Sequence, residues 1–120
     1  MQNLKLILLG IVALSMTNCV QKSYKHTVEF QLDTKKLKNV YKVGIRGNNS
    51  LHWDYDTEMK LDIKDSLYKI TINYDTGYKF VEVKFVVNDA FELKEQDNRR
   101  VYFEPKGITV YRAEFNTLKK

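Results

Sequence analysis

Residues 80–87 read Phe-Val-Glu-Val-Lys-Phe-Val-Val and form the strongest alternating segment of the chain. Every second position is apolar, at Val81, Val83, Phe85 and Val87, while the positions between them mix aromatic, charged and aliphatic side chains. Successive side chains of a strand point to opposite faces, so this spacing predicts a β-strand with one buried face.

The same two-residue period recurs on both sides of this segment. Further alternating runs occupy residues 28–32, 41–45, 59–63, 68–74, 91–93, 101–103 and 108–115. Asp75-Thr76-Gly77 separates two of the runs, and its Asp and Gly are typical turn formers. No segment keeps a helical period. We therefore predict an all-β fold, an immunoglobulin-like antiparallel β-sandwich of about seven or eight strands.

The composition is that of one globular domain. The chain has 120 residues, 43% of them hydrophobic and 29% charged, with a formal net charge of +5. Its lysines are spread along the sequence and cluster only at 35–38 and 119–120. We interpret this charge as solvated surface charge and expect no nucleic-acid partner.

The N-terminus has the pattern of an export signal. Lys5 precedes an apolar run over residues 6–16, which is shorter than the roughly 20 residues that span a bilayer. Cys19, the only cysteine, follows directly. This arrangement resembles the lipobox of bacterial lipoproteins, although Met16 and Asn18 depart from its usual residues. The resemblance implies that Cys19 is lipidated; the alternative is an ordinary secretory signal followed by a free cysteine.

These patterns divide the chain into three parts. We expect a lipoprotein signal peptide over residues 1–18, a tether over 19–25 and a single β-sandwich domain over 26–120. The mature protein would then be exported and anchored by lipid to a bacterial membrane, in the periplasm or at the cell surface.

Nothing in the sequence indicates catalysis. His26 and His52 are the only histidines, and neither has a partner at metal-ligand spacing. Nucleophile elbows, phosphate loops and dinucleotide fingerprints are missing from the sequence. We therefore expect no enzyme, no metal and no cofactor.

The only tryptophan of the chain, Trp53, lies in a polar segment over residues 47–54 instead of an apolar run. An aromatic ring on a polar loop offers apolar area to the C–H face of a sugar, while nearby amides and amines can bind its hydroxyls. The segment is therefore a candidate binding loop for a carbohydrate.

Four segments occur in an order that resembles the starch-binding domain, family 20 of the carbohydrate-binding modules. They are residues 39–44, the Trp53 loop, residues 81–86 and residues 95–102. The resemblance implies an immunoglobulin-like sandwich that binds an α-glucan polysaccharide or maltooligosaccharide, such as starch or glycogen, without cleaving it.

The resemblance implies specific sugar contacts only in part. Trp53 matches the family's stacking loop Trp, Lys84 its strand Lys that donates to sugar hydroxyls, and Asn98 its hydrogen-bonding Asn. The family's second stacking Trp matches Leu93, and Phe91 is the nearest aromatic that can replace it. The family's second sugar site needs a Tyr where this chain has Lys36 and Leu37, so we expect that site to be absent.

Each candidate also has a purely structural interpretation. Trp53 can close one end of the sandwich, Lys84 can be a solvated strand residue and Asn98 can cap a turn. Arg99 is interpreted as structural, paired with a carboxylate. The alternative function is a structural or protein-interaction β-sandwich that has lost glycan binding.

Overall fold

The computed structural model describes residues 22–118, which form nine strands and no helix. The strands are β1 (Tyr24–Asp33), β2 (Val43–Gly47), β3 (Thr57–Glu58), β4 (Lys60–Asp62), β5 (Leu67–Thr76), β6 (Phe80–Val87), β7 (Ala90–Phe91), β8 (Arg99–Tyr102) and β9 (Thr109–Glu114). Without a helix, this part of the chain has no helical segment long and apolar enough to cross a membrane. The predicted all-β class is confirmed.

The strands form two sheets. The four-stranded sheet has the order β4-β5-β1-β9, and the five-stranded sheet has the order β3-β2-β6-β7, with β8 also paired to β6. β1 and β5 pair antiparallel along their whole length, from Tyr24 opposite Thr76 to Asp33 opposite Leu67. β6 is the centre of the second sheet because β2 pairs with one of its edges and β7 and β8 share the other.

The core lies between the two sheets and follows the alternation in the sequence. Val83 and Phe85 of β6 are 0% exposed, as are Val28 and Phe30 of β1. Both strands contribute to one continuous buried cluster, so the sheets pack face to face as a β-sandwich. Burying these side chains provides the main favourable free energy of folding.

The observed strands differ from the prediction in two respects. There are nine because short strands of two or three residues, β3, β4 and β7, pair at the edges of the sheets. β1 also pairs with β9 in parallel, from Val28 opposite Thr109 to Asp33 opposite Glu114, whereas an antiparallel sandwich was predicted. Neither the short edge strands nor the parallel pairing changes the alternation of apolar residues. The two-residue period of the sequence therefore predicts neither of them.

The alternating run over residues 59–63 does not bury all three of its apolar side chains. Met59 is 2% exposed, but Leu61 is 48% and Ile63 84% exposed. Only Lys60–Asp62 is strand, at the edge of its sheet, and a turn follows it. An edge strand has a neighbour on one side only, and here this leaves two of the three apolar side chains in solvent.

The predicted export signal lies outside the described residues. This applies to the signal peptide over 1–18, to Cys19 and to the start of the tether over 19–25, as well as to residues 119–120. β1 begins at Tyr24, two residues before the predicted start of the domain at residue 26.

Tyr74 places a hydroxyl in the core without a partner. Its side chain is 1% exposed, and its Oη has no hydrogen-bond partner among the described residues. Its ring centroid lies 5.8 Å from that of Phe103. Burial raises the pKa of Tyr74 above its ordinary value of 10.0, because the phenolate would lose its hydration.

Tyr74→Phe is expected to leave the free energy of unfolding unchanged or raise it by about 1 kcal/mol, because it removes a buried hydroxyl without a partner. In the unfolded chain the phenol releases its proton near pH 10, while the folded protein retains it. Wild-type stability therefore falls as the pH rises above 10, and the variant lacks this contribution. Urea unfolding at about pH 8 and about pH 11 measures both effects. If the wild type and Tyr74→Phe lose the same free energy of unfolding between these two pH values, the predicted pH dependence is contradicted.

Candidate functional site

The four side chains that the sequence predicts for sugar binding belong to the five-stranded sheet and its loops. Lys84 points outward from β6, because its neighbours Val83 and Phe85 point into the core. Phe91 lies on β7, Asn98 directly precedes β8, and Trp53 lies in the loop between β2 and β3.

The loop that carries Trp53 starts from a closely packed point. Gly47 ends β2, and a Cβ there would lie 2.6 Å from the carbonyl oxygen of Glu82. Glycine permits this approach, and the side-chain oxygen of Asn48 then accepts a hydrogen bond from the Glu82 N–H at 3.1 Å. The first residue of the loop after β2, Asn48, therefore remains hydrogen-bonded to β6.

Arg46 joins the Trp53 loop to Phe91. Its Nη1 donates to the carbonyl oxygen of Trp53 at 2.9 Å, and its Nε donates to Asp56 Oδ1 at 2.6 Å. Its Cζ lies 5.0 Å from the centroid of the Phe91 ring, and its strand position is directly opposite Lys84. The backbone of Trp53, the ring of Phe91 and the strand position of Lys84 are therefore grouped around the side chain of Arg46 on the outer face of the sheet.

Trp53 itself is partly exposed, at 37%. Nearby in the same loop, His52 and Tyr55 stack on each other with ring centroids 4.2 Å apart, and Tyr55 is 54% exposed. The indole is thus neither a buried plug of the sandwich nor a fully open platform.

Lys84 is engaged within the protein. Its ammonium donates to the carbonyl oxygens of Leu93 and Gln96, each at 3.1 Å. An ammonium has three N–H donors, so one is left for a ligand hydroxyl. The two bonds hold the segment between β7 and β8 against the sheet.

Leu93 does not face a ligand surface. Its side chain is 1% exposed, its φ is 51°, and its N–H donates to Asn116 Oδ1 at 2.8 Å. The expectation that Leu93 replaces a sugar-facing ring is therefore wrong: a left-handed backbone turn directs this side chain inward. Such a turn at a leucine has no sequence signal.

An ion pair in the core lies under this segment. Glu92 is 0% and Arg99 2% exposed. Arg99 Nε and Nη2 donate to the two carboxylate oxygens of Glu92 at 2.7 and 2.8 Å, a bidentate arrangement. Burial alone lowers the pKa of Arg99, but the hydrogen bonds to Glu92 and Tyr111 outweigh it and leave the pKa raised. The interpretation of Arg99 as structural and paired with a carboxylate is confirmed.

Asn98 lies in a polar depression on the outer face, which we call the β6–β8 depression. Its volume is about 590 Å³, and it is lined by Glu82, Gln96, Asp97, Asn98 and Arg100. Asn98 Nδ2 donates to Glu82 Oε2 at 3.1 Å, and Arg100 Nη2 lies 3.4 Å from Glu82 Oε1. Glu82, Gln96 and Arg100 carry no motif that marks them as candidates, although the alternation of β6 predicts that Glu82 points outward.

The described residues offer no arrangement for metal chemistry. Within residues 22–118, no group of three His, Cys, Asp or Glu side chains is close enough to hold an ion. His26 stacks on Phe103 with centroids 4.0 Å apart.

Comparison with known proteins adds no assignment, because no protein-family model and no curated protein matches the chain.

Proposed function

We propose that the chain is a non-catalytic carbohydrate-binding domain whose ligand is an α-glucan such as starch, glycogen or a maltooligosaccharide. The supporting observation is the partly exposed indole of Trp53, in a loop that Arg46 ties to Phe91 on the same sheet as Asn98. A sugar needs an apolar ring against its C–H face and fixed donors and acceptors for its hydroxyls. The outer face of the five-stranded sheet has both.

The opposite face of the sandwich lacks this combination. Apart from the buried Leu67 at one end, the outward positions of β1 and β5 carry charged and polar side chains and no aromatic ring. Lys69 bridges Asp62 at 3.1 Å and Asp65 at 2.7 Å there, which leaves a face of internally paired charges. The contrast favours the five-stranded sheet as the binding face.

Trp53→Ala is expected to weaken binding of maltoheptaose about tenfold or more, because the stacking area of the indole is lost. In the wild type, Trp53 fluorescence should change on titration, since Trp53 is the only tryptophan. Affinity electrophoresis in amylose gels compares the variants, with Tyr41→Ala as control, because Tyr41 is 74% exposed and its N–H bonds to Asn88 instead of the Trp53 loop.

Two results would contradict this proposal. One is a wild-type protein that neither responds in fluorescence nor is retarded in the gel. The other is a Trp53→Ala variant retarded as strongly as the wild type, which would remove the indole from the binding site.

We also propose that Cys19 carries the lipid anchor. Cys19→Ser is expected to abolish incorporation of radiolabelled palmitate and to move the protein from the membrane fraction to the soluble fraction. The thiol is the acceptor that the lipobox resemblance implies, and serine retains its size without its nucleophilicity. A wild-type protein that takes up no label, or a variant that keeps it, would favour the ordinary secretory signal.

A second candidate function rests on the exposed edge at β4. Leu61 and Ile63 are exposed there, and together with Leu37 they border a groove of about 300 Å³. Exposed apolar groups at a sheet edge are typical of protein-interaction surfaces. This favours the protein-interaction module as the alternative, and Ile63→Lys is the variant that would abolish partner binding without affecting a glycan site.

A further inference from the structure

The outer face of the five-stranded sheet carries a second aromatic group, at the start of β6 and the end of β8. We call it the aromatic shelf, formed by Tyr78, Phe80 and Tyr102. Phe80 and Tyr102 are directly opposite each other on β6 and β8, with ring centroids 5.5 Å apart, and the Tyr78 centroid lies 6.4 Å from that of Phe80. Tyr78 is 65% and Tyr102 60% exposed, so both offer more open ring surface than Trp53.

The shelf adjoins the β6–β8 depression. Glu82 and Arg100, which line the depression, are the next outward pair on the same two strands, opposite each other in register. Two residues along a strand span about 6.6 Å, so the shelf and the polar wall are neighbours on one surface. One ligand can therefore contact a ring and the polar groups together.

The chemistry of the wall suits vicinal hydroxyls. Glu82 supplies carboxylate oxygens as acceptors, Arg100 supplies guanidinium donors, and Asn98 supplies an amide oxygen that accepts while its Nδ2 is held by Glu82. Asn98 and Arg100 each bond one carboxylate oxygen of Glu82, so this side chain is oriented before a ligand binds. Donors and acceptors together line a volume of about 590 Å³, which is within the range of small-ligand sites.

The guanidinium of Arg100 covers the ring of Phe80 but leaves the ring of Tyr102 exposed. Its Cζ lies 4.2 Å from the Phe80 centroid, which covers one face of that ring. Tyr102 retains its exposure on the same surface. Lys84, by contrast, has most of its donors bonded to backbone carbonyls, which reduces what the Trp53 side of the face can offer a hydroxyl.

We infer that the main sugar subsite is the β6–β8 depression, with Tyr102 as its stacking ring and Glu82, Asn98 and Arg100 as its hydroxyl ligands. This inference rests on the proposed carbohydrate-binding function: the depression makes the main contacts, and Trp53 makes a further stacking contact with the same oligosaccharide. Its ligand class is a pyranose oligosaccharide that presents one C–H face and adjacent hydroxyls.

Isothermal titration calorimetry with maltoheptaose tests the inference. Tyr102→Ala is expected to weaken binding about tenfold or more, while Tyr102→Phe, which keeps the ring, stays within about threefold. Glu82→Gln should also weaken binding about tenfold through the lost charge-assisted hydrogen bond. Tyr41→Ala, an exposed tyrosine elsewhere, should bind as the wild type.

Nitrogen–proton spectra supply a second measurement that does not depend on affinity changes. Addition of maltoheptaose should shift the side-chain amides of Asn98 and Gln96 more than the indole N–H of Trp53. If the wild type binds but Tyr102→Ala is unaffected and the shifts centre on Trp53, this inference is overturned while the proposed function stands. If the wild type binds no maltoheptaose, both fail.

Discussion

Arg99→Ala is expected to lower the free energy of unfolding by about 3–5 kcal/mol, because it leaves the carboxylate of Glu92 charged and unpaired in the core. Glu92 is completely buried, and alanine supplies neither of the two N–H donors that it loses. A domain of this size has a total stability of about 5–15 kcal/mol, so the loss is a large fraction of it.

The remaining contacts of the pair indicate what else the variant disrupts. Glu92 also accepts from the N–H groups of Phe85 at 2.7 Å and Asn116 at 3.2 Å, and Arg99 Nη2 donates to the carbonyl oxygen of Glu114 at 2.8 Å. The pair thus ties the segment before β8 to β6 and to the end of β9. Its loss is also expected to loosen the segment that carries Asn98.

Urea unfolding of Glu92→Gln, of Arg99→Met and of the double variant Glu92→Gln/Arg99→Met completes the experiment. Because Glu92→Gln leaves no charge, the double variant should lose less than the sum of the single losses, a coupling that a double-mutant cycle measures. Arg100→Ala is the matched control, since Arg100 is adjacent but half-exposed and its salt bridge to Glu82 is long, at 3.4 Å. Arg99→Ala with a loss below about 1 kcal/mol would refute the role of the pair.

The second large effect is expected for Phe30→Ala, again about 3–5 kcal/mol. Phe30 is 0% exposed on β1, the strand between β5 and β9, and its ring meets that of Tyr111 edge to face with centroids 6.3 Å apart. Alanine removes the buried area and leaves a cavity that strands held on both sides cannot close.

Thermal and urea unfolding measure this loss, and Phe30→Leu provides a graded comparison. Leucine keeps much of the volume and should lose clearly less stability than alanine. Thr71→Ala is the surface control on the neighbouring strand and should stay within about 0.5 kcal/mol of wild type. Equal unfolding midpoints for Phe30→Ala and Thr71→Ala would place Phe30 outside the cooperative core.

The core strands were predictable because their alternation determines which side chains face inward. Val81, Val83 and Phe85 are buried as the period requires, and so is Phe30. Edge elements were less predictable, since the period does not state how many neighbours a strand has. Ile63 has the same period as Met59, yet it is 84% exposed because its strand ends in a turn at the sheet edge.

The site was predictable only at the level of residue type. The sequence indicates that Arg99 pairs with a carboxylate, but the choice of Glu92 depends on the path of the chain between β7 and β8. Two residues on that path, Leu93 and Glu95, have positive φ angles, and neither residue type signals such a turn. The same turns direct Leu93 inward and bring backbone carbonyls to Lys84, which the sequence alone could not show.

The parallel pairing of β1 with β9 has a consequence for the order in which the protein folds. On the ribosome, the first described strand emerges long before the last, yet the four-stranded sheet is complete only when both are present. Contacts between such distant segments slow folding, which places this domain among all-β chains that fold in about milliseconds to seconds. A nascent chain that ends before Thr109 would expose one edge of β1, and the four-stranded sheet can be completed only once β9 has emerged.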